Sequence, residues 1–599
     1  LQLKEERDKA QLEALKSAKV SEFLQNIFKV SDPSESRGQT ITARELLDRG
    51  AEKIETELKD QLDVKATMLE VIGRVYTKLG LYKEAEPLIE NSLRIREKLF
   101  GENSLETSKS LAALGELSNL KGDYEKAEEL LNKAIDIQNN LSIENELEKV
   151  KVLSELATNY SVTGKFDKSD SLYNVIIDLY SRNNIKEDET LFTILNNLAL
   201  SMHESGNYNQ ADSLYRIAYN HQKKYYENKP HPELATTTYN FAQLLRDRGN
   251  LDEAQKMFEE SLNMDKILNG PEHPDVAYSL QGLASVYRIK GNYDESEKLY
   301  RESLRIRRKF LGNDHPDVGY SLTNLSQLLV FMKNFDEAEN ILNEALIIQK
   351  KINGEEHRSV TNIYEKLGEI NLEKGNFIKA EILFNKALNI NYKILGEKHF
   401  AYASDLISLS KVKAEMKDYN AAIELCNRGI ETAISVGGKE SSFLTGTYSI
   451  LAKIYKDKGD YVTSDSLYRI SIRMYDKIYG RNYIRTALTM TNFGSLLLQM
   501  DSVKQAYNYA NEGLKILKSD KEFDPINIAR AEGVVGEILT SMKSYEQAEK
   551  LLLNSYNNLK KVPGNNKPEK ESLNRLIKLY KAWGKDGELK KYQLALVSL

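Results

Sequence analysis

Five of the seven histidines, His231, His273, His315, His357 and His399, follow one another at intervals of 42 residues. Imidazole is the commonest metal-ligating side chain, so a ladder of this kind would be zinc chemistry if its members could meet. They cannot. Equivalent atoms on successive packed helices lie on the order of 10 Å apart, whereas the ligands of one zinc ion sit about 2 Å from it. Proline follows three of these histidines, at Pro232, Pro274 and Pro316, and proline suits the first turn of a helix, so the ladder reads as a set of helix starts. Cys426 is the single cysteine. A nucleophilic thiol needs a nearby imidazole and a group to orient it, and neither is indicated beside Cys426, which is expected in a helix core. The paired carboxylates Glu128-Glu129 and Glu259-Glu260 fall on outward positions, where they solvate a surface. No catalytic constellation remains, and the chain is expected to be a non-enzymatic protein without cofactor or metal.

The elements that place these residues follow from a repeat. A turn of the form Gly-x-aromatic-x-x-Ala, as in Gly122 to Ala127, recurs with its first position at 80, 122, 164, 206, 249, 291, 333, 375, 417, 459, 501 and 543, every interval being 42 except one of 43. The position five residues later is always Ala or Ser, and the position seven residues earlier is always Gly, Ala or Ser. Two columns of small side chains around a tight turn mean that two helices cross with their backbones close together. A column of Leu, Ile, Val and Phe runs immediately before the earlier small column, as the buried stripe of a first helix requires. Each hairpin has one face to bury internally and another to bury against its neighbour, so the fold class is all-α, an α-solenoid of about twelve helical hairpins with a continuous core. At Lys333, Lys417, Asp501 and Lys543 the turn glycine is replaced, and Val503 replaces an aromatic. These turns are expected to be looser while the register persists.

Composition narrows the function classes. Lys and Arg total 84 against 89 Asp and Glu, a formal charge of −5, which offers no basic footprint for nucleic acid. The longest apolar run, Leu328 to Met332, is far short of the roughly 20 residues of a membrane span. One cysteine rules out an internal disulfide framework and any cysteine-based zinc site. The first residue is Leu1, so the chain is expected to be a fragment or a processed product, and its compartment follows from what precedes it: cytoplasmic, or extracytoplasmic if a membrane helix lies upstream.

The small residue, the aromatic turn and the following Ala resemble the tetratricopeptide repeat, and linkers such as Leu311-Gly312-Asn313-Asp314-His315-Pro316 and Asn269-Gly270-Pro271-Glu272-His273-Pro274 resemble its 42-residue, kinesin-light-chain-like variety. The resemblance implies a right-handed superhelix with residues 64–568 as the array, a helix at 40–62 before it, capping helices at 569–599 after it, and a separate N-terminal helix at 1–33. The segment from Val20 to Asp32-Pro33 and on through Thr42-Ala43-Arg44-Glu45-Leu46-Leu47-Asp48-Arg49-Gly50 is similar to the start of repeat regions in bacterial serine/threonine protein kinases. Glycine-rich loop, His-Arg-Asp and Asp-Phe-Gly motifs are all missing from the chain.

That likeness implies a protein- or peptide-binding scaffold, the sensor or partner-docking region of a bacterial signalling protein. The alternatives are a stand-alone cargo adaptor or the regulatory region of a protease or nucleotide cyclase. In such arrays the first helices line a concave face, and the resemblance assigns to it Asn196, Asn197 and His203 in repeat four; Tyr239, Asn240, Gln243 and Arg246 in repeat five; Tyr278, Gln281, Ser285 and Arg288 in repeat six; and Tyr320, Thr323, Asn324 and Gln327 in repeat seven. No Asp or Glu is among them. Asn and Gln donate and accept together, as the backbone of an extended peptide requires.

Overall fold

The structure, a computed structural model, describes residues 43–141, 147–182, 189–519, 525–560 and 567–598. Among these residues every regular element is an α-helix, and helices follow one another as hairpins from Leu62–Lys78 with Tyr82–Phe100 to Pro525–Ser541 with Tyr545–Leu559. The helix expected at 40–62 spans Ala43–Glu57 and the terminal pair is Lys567–Trp583 with Asp586–Val597. The expected N-terminal helix at 1–33 lies outside the described residues.

The chain divides into two compact units, 1–163 with 167–186, and 164–166 with 187–599. In the first, Ile54 of the leading helix, Leu69, Ile72 and Tyr76 of repeat one, and Leu114 and Leu117 of repeat two share one buried cluster. The second carries repeats four to twelve. Its last cluster ends on Leu573, Leu576, Leu579 and Tyr580, and Tyr592 of the final helix stacks on Tyr580 with ring centroids 5.5 Å apart, so the terminal pair closes an otherwise open apolar end.

Backbone proximity accounts for the two small columns. A Cβ on Gly115 would stand 2.6 Å from Leu131, and one on Gly368 would stand 2.8 Å from the Phe384 ring. Serine in the later column donates to the carbonyl of the earlier one: Ser169 to Ala157 at 2.9 Å, Ser296 to Ala284 at 2.7 Å and Ser464 to Ala452 at 2.7 Å. Two further columns escaped the sequence reading. Twelve residues after each turn position stands another small residue, Ile176 excepted, and Ser261, Ser303 and Ser471 there bond the carbonyls of Ala235, Ala277 and Thr445. Sixteen residues after it, Arg96, Gln138, Gln222, Asp265, Arg307, Gln349 and Asn391 are polar and buried. Several of these side chains tie one repeat to the next, as Arg307 does to Ser321 at 2.7 Å and Asn391 to Asp405 at 2.7 Å.

The substituted turns are not looser. Lys333, Lys417, Asp501 and Lys543 adopt φ of 60, 65, 58 and 61°, the left-handed conformation of the glycines they replace. Lys333 and Asn334 donate to Val330 and Leu329 at 3.0 and 2.8 Å, as Gly291 and Asn292 donate to Arg288 and Tyr287 at 3.2 and 2.9 Å. Two hydrogen bonds and a packed hairpin outweigh a conformational cost of about 1–2 kcal/mol per non-glycine residue. The histidine ladder is a ladder of helix caps. The Nδ1 of His231, His273, His315, His357 and His399 accepts the backbone N–H two residues on, at 3.3, 3.2, 3.2, 3.1 and 2.9 Å. Cys426 is fully buried in the core of repeats nine and ten, and burial pushes its thiol up to about 12.

Candidate functional site

The first helices of repeats five, six and seven are Pro232–Asp247, Pro274–Ile289 and Pro316–Phe331. Each starts at a histidine cap followed by proline, which fixes its first turn and hence the azimuth of the residues two and three turns on. Those turns line a cavity of about 460 Å³. Of the residues assigned to the concave face, Tyr239, Gln243, Arg246, Gln281, Ser285, Arg288, Tyr320, Asn324 and Gln327 all border it. Asn196, Asn197, Asn240 and Tyr278 are outside that lining.

The residues outside it are held by one another. Asn240 donates to Asn196 at 3.1 Å and Asn196 to Asn197 at 3.2 Å. Thr323 turns inward and donates to Gly319 at 2.8 Å. Tyr278 covers the guanidinium of Arg307, whose Cζ is 4.0 Å from the ring centroid. Arg307 is a residue the sequence reading missed. Fully buried, it reaches Gln281 Oε1 at 3.1 Å, the Asp317 carbonyl at 3.2 Å and Ser321 at 2.7 Å, and so orients Gln281 on the cavity side. Its signal was present in the polar column sixteen residues after the turn.

The charges are uneven. Arg246 donates through Nε to Asp247 at 2.8 Å, and His203 meets the other oxygen of that carboxylate at 3.0 Å. Burial alone would raise the Asp247 carboxyl, yet the Arg246 guanidinium and the His203 bond hold it well below the usual range. Burial raises the phenols of Tyr239 and Tyr300. Opposite these helices stand Ile484, Arg485, Leu488 and Asn527, from the first helices of repeats eleven and twelve. No local pattern marks these four as cavity residues, because they arrive there only through the winding of nine repeats.

That winding brings distant linkers together inside the second unit. Tyr479 and Tyr483 stack at 4.3 Å, Tyr208 packs on Tyr479 at 5.4 Å, and Tyr483 Oη is 3.4 Å from the Asp247 carbonyl. Gly249 is needed where Tyr483 passes, since a Cβ there would meet its ring at 3.0 Å. Among the described residues no group of three His, Cys, Asp or Glu could hold a metal ion, and no helix is long and apolar enough to cross a membrane.

Consecutive helical hairpins with small crossing columns and a cavity on their first helices define a solenoid repeat protein. The tetratricopeptide repeat pattern matches residues 64–140, 190–267, 233–289, 275–351 and 359–435, more than half of the chain, and the chain belongs to the tetratricopeptide repeat family. No curated protein matches it. Similar solved structures include nearly identical repeats attributed to a kinesin light chain of Podosopora anserina, with 22% identity over 34% of this chain and 97% of that one and a TM-score of 0.29. The BtubC (BKLC) protein of P. vanneervenii is 21% identical over 39% of this chain and 92% of its own, with a TM-score of 0.32. A Rap protein complexed with Competence and Sporulation Factor is 15% identical over 63% of this chain and 99% of its own, with a TM-score of 0.43.

Proposed function

We propose that the second unit captures an extended peptide segment along the first helices of repeats five to seven, with no chemistry performed on it. One observation carries the reading: Gln243, Gln281, Asn324 and Gln327 border the same cavity together with Tyr239 and Tyr320. Amides that both donate and accept, set beside rigid amphipathic rings, match the alternating groups of a peptide backbone. Isothermal titration against a partner isolated by pull-down tests it. Asn324→Ala with Gln327→Ala is expected to weaken binding by roughly 5- to 150-fold, the effect of leaving a desolvated group unpaired, while Asn240→Ala, whose amide is engaged by Asn196, changes little. Full affinity in the double variant would move the site off these helices.

The setting of this activity is a bacterial signalling protein, as the sensor or docking region of a serine/threonine kinase with such repeats. Support comes from the segment between Val20 and Gly50, which a free-standing cargo adaptor would not need. Determining the coding sequence upstream of Leu1 tests it: a kinase domain supports the setting, and any other neighbour replaces it.

A further inference from the structure

A second cavity of about 610 Å³ adjoins the first and is bordered by the first helices of repeats six to nine on one side and eleven and twelve on the other. Six cations line it, Arg288, Lys333, Lys366, Lys411, Arg485 and Arg530, against the carboxylates Glu369 and Glu373. Both carboxylates are already engaged, Glu369 by Lys366 at 3.0 Å and Glu373 by Lys333 at 3.1 Å. Arg288, Lys411, Arg485 and Arg530 have no carboxylate partner among the described residues. Elsewhere the chain pairs its charges between neighbouring repeats, as Arg301 does with Glu337 at 2.8 Å and Lys379 with Glu339 at 2.5 Å. A concentration of unpaired cations in a chain with a net charge of −5 is therefore local.

Lys411, Arg485 and Arg530 reach solvent, and Arg288 is half-buried. Arg288 Nε is buried without a hydrogen-bond partner, and its guanidinium lies 4.9 Å from the Phe331 ring centroid. Like charges gathered around one cavity are stabilised by a counter-charge between them, and the hydrogen-bond geometry of guanidinium suits the paired oxygens of phosphate or carboxylate. The volume falls within the 300 to 1,000 Å³ of small-molecule sites.

We propose that this cavity binds a small molecule carrying two or more phosphate or carboxylate groups, held between Arg288 and Lys411 on one wall and Arg485 and Arg530 on the other. The site adjoins the peptide site, and Arg288, Gln327 and Arg485 are among the residues that border both cavities. It supplies the scaffold with a small-anion ligand in addition to its peptide.

The test is calorimetric titration of the full chain, at physiological ionic strength, with inorganic tripolyphosphate in one arm and citrate in the other. Saturable binding of either, with Kd below about 1 mM, is the expected result, and the tighter arm tells phosphate from carboxylate. Lys411→Gln with Arg530→Gln is expected to weaken that binding by roughly tenfold or more, because each removes a charge partner. Lys411→Gln with Arg485→Gln repeats the test in case the first pair perturbs the fold, with circular dichroism as the check. Absence of binding in both arms overturns the proposal, as does binding that survives in either folded double variant. Gln243→Ala with Asn324→Ala, both bordering only the peptide cavity, should leave anion affinity unchanged, so a failed peptide site and a failed anion site give different patterns.

Discussion

Ser296 Oγ donates to the carbonyl of Ala284, twelve residues upstream, across a distance of 2.7 Å. A side chain of two heavy atoms can reach the opposite backbone only if the helices touch there, so the bond measures the crossing directly. Replacing Ala284, Ala338 or Ala380, all fully buried, by Leu should force the hairpin apart and cost about 1–3 kcal/mol. Hydrogen exchange checks this: protection should fall in the altered repeat first, and unchanged exchange would contradict the close crossing.

Backbone conformation and space separate cleanly at two linker positions. Gly312 ends its helix at φ 84°, ψ 168°, a region essentially reserved for glycine, and a Cβ there would meet nothing within 4 Å. Gly312→Ala should therefore destabilise by about 1–3 kcal/mol through strain alone. Exposed Lys417 at φ 65° is the converse, and Lys417→Gly should stabilise by about 0.5–1 kcal/mol. Urea midpoints of the two variants should move in opposite directions.

His315 Nδ1 accepts the Asp317 N–H at 3.2 Å, a capping role usually filled by Asn, Asp, Ser or Thr. Replacing His315 by Ala should cost about 0.5–2 kcal/mol, and replacing it by Asn should restore most of the loss. Thermal denaturation of the two variants distinguishes capping from mere packing, because Asn keeps the acceptor and discards the ring.

Asp405 is fully buried, accepting from Asn391 at 2.7 Å. Burial and then the nearby Glu365 carboxyl raise its folded-state value to about 8. A carboxyl raised in the folded state favours folding fully only below its unfolded value, and that contribution is lost as pH rises through the window from about 4 to about 8. Asp405→Asn should leave stability near pH 3 almost unchanged and increase it by about 1–3 kcal/mol at pH 8. Denaturant melts across that range check the sign, and an Asn variant less stable than the parent at pH 8 would refute it.

Much of the fold was legible in the sequence because it is repeated. A single Gly-x-aromatic turn says little, but twelve in one register fix each helix boundary to within a few residues. The histidines were legible as helix starts through the prolines beside them, while their capping bond was not, since Asn, Asp, Ser and Thr are the expected acceptors. The looseness expected at Lys333 and Lys417 was an error of energy scale: one unfavourable φ was weighed without the two hydrogen bonds and the packing that impose it. The candidate cavity was half legible. Its near wall holds Tyr239, Gln243 and Asn324, which the family resemblance assigns to the concave face. Its far wall, Arg485 and Asn527, depends on how the twist per repeat accumulates, and no short window of sequence carries that information. Arg307 was missed for a simpler reason, because attention to turns passed over a polar column buried between repeats.

The stacked Tyr479 and Tyr483, pressed on Tyr208 and the Asp247 carbonyl, have a bearing on cooperativity. An array in which each hairpin touches only its neighbours unravels from its ends, one hairpin at a time, and tolerates a break anywhere. Once repeats four and five grip the linker after repeat ten, a loop of more than two hundred residues is closed, and the stretch between has no free end from which to fray. Repeats four to eleven should consequently melt in one transition, and a single nick in that stretch should loosen both sides of the grip together.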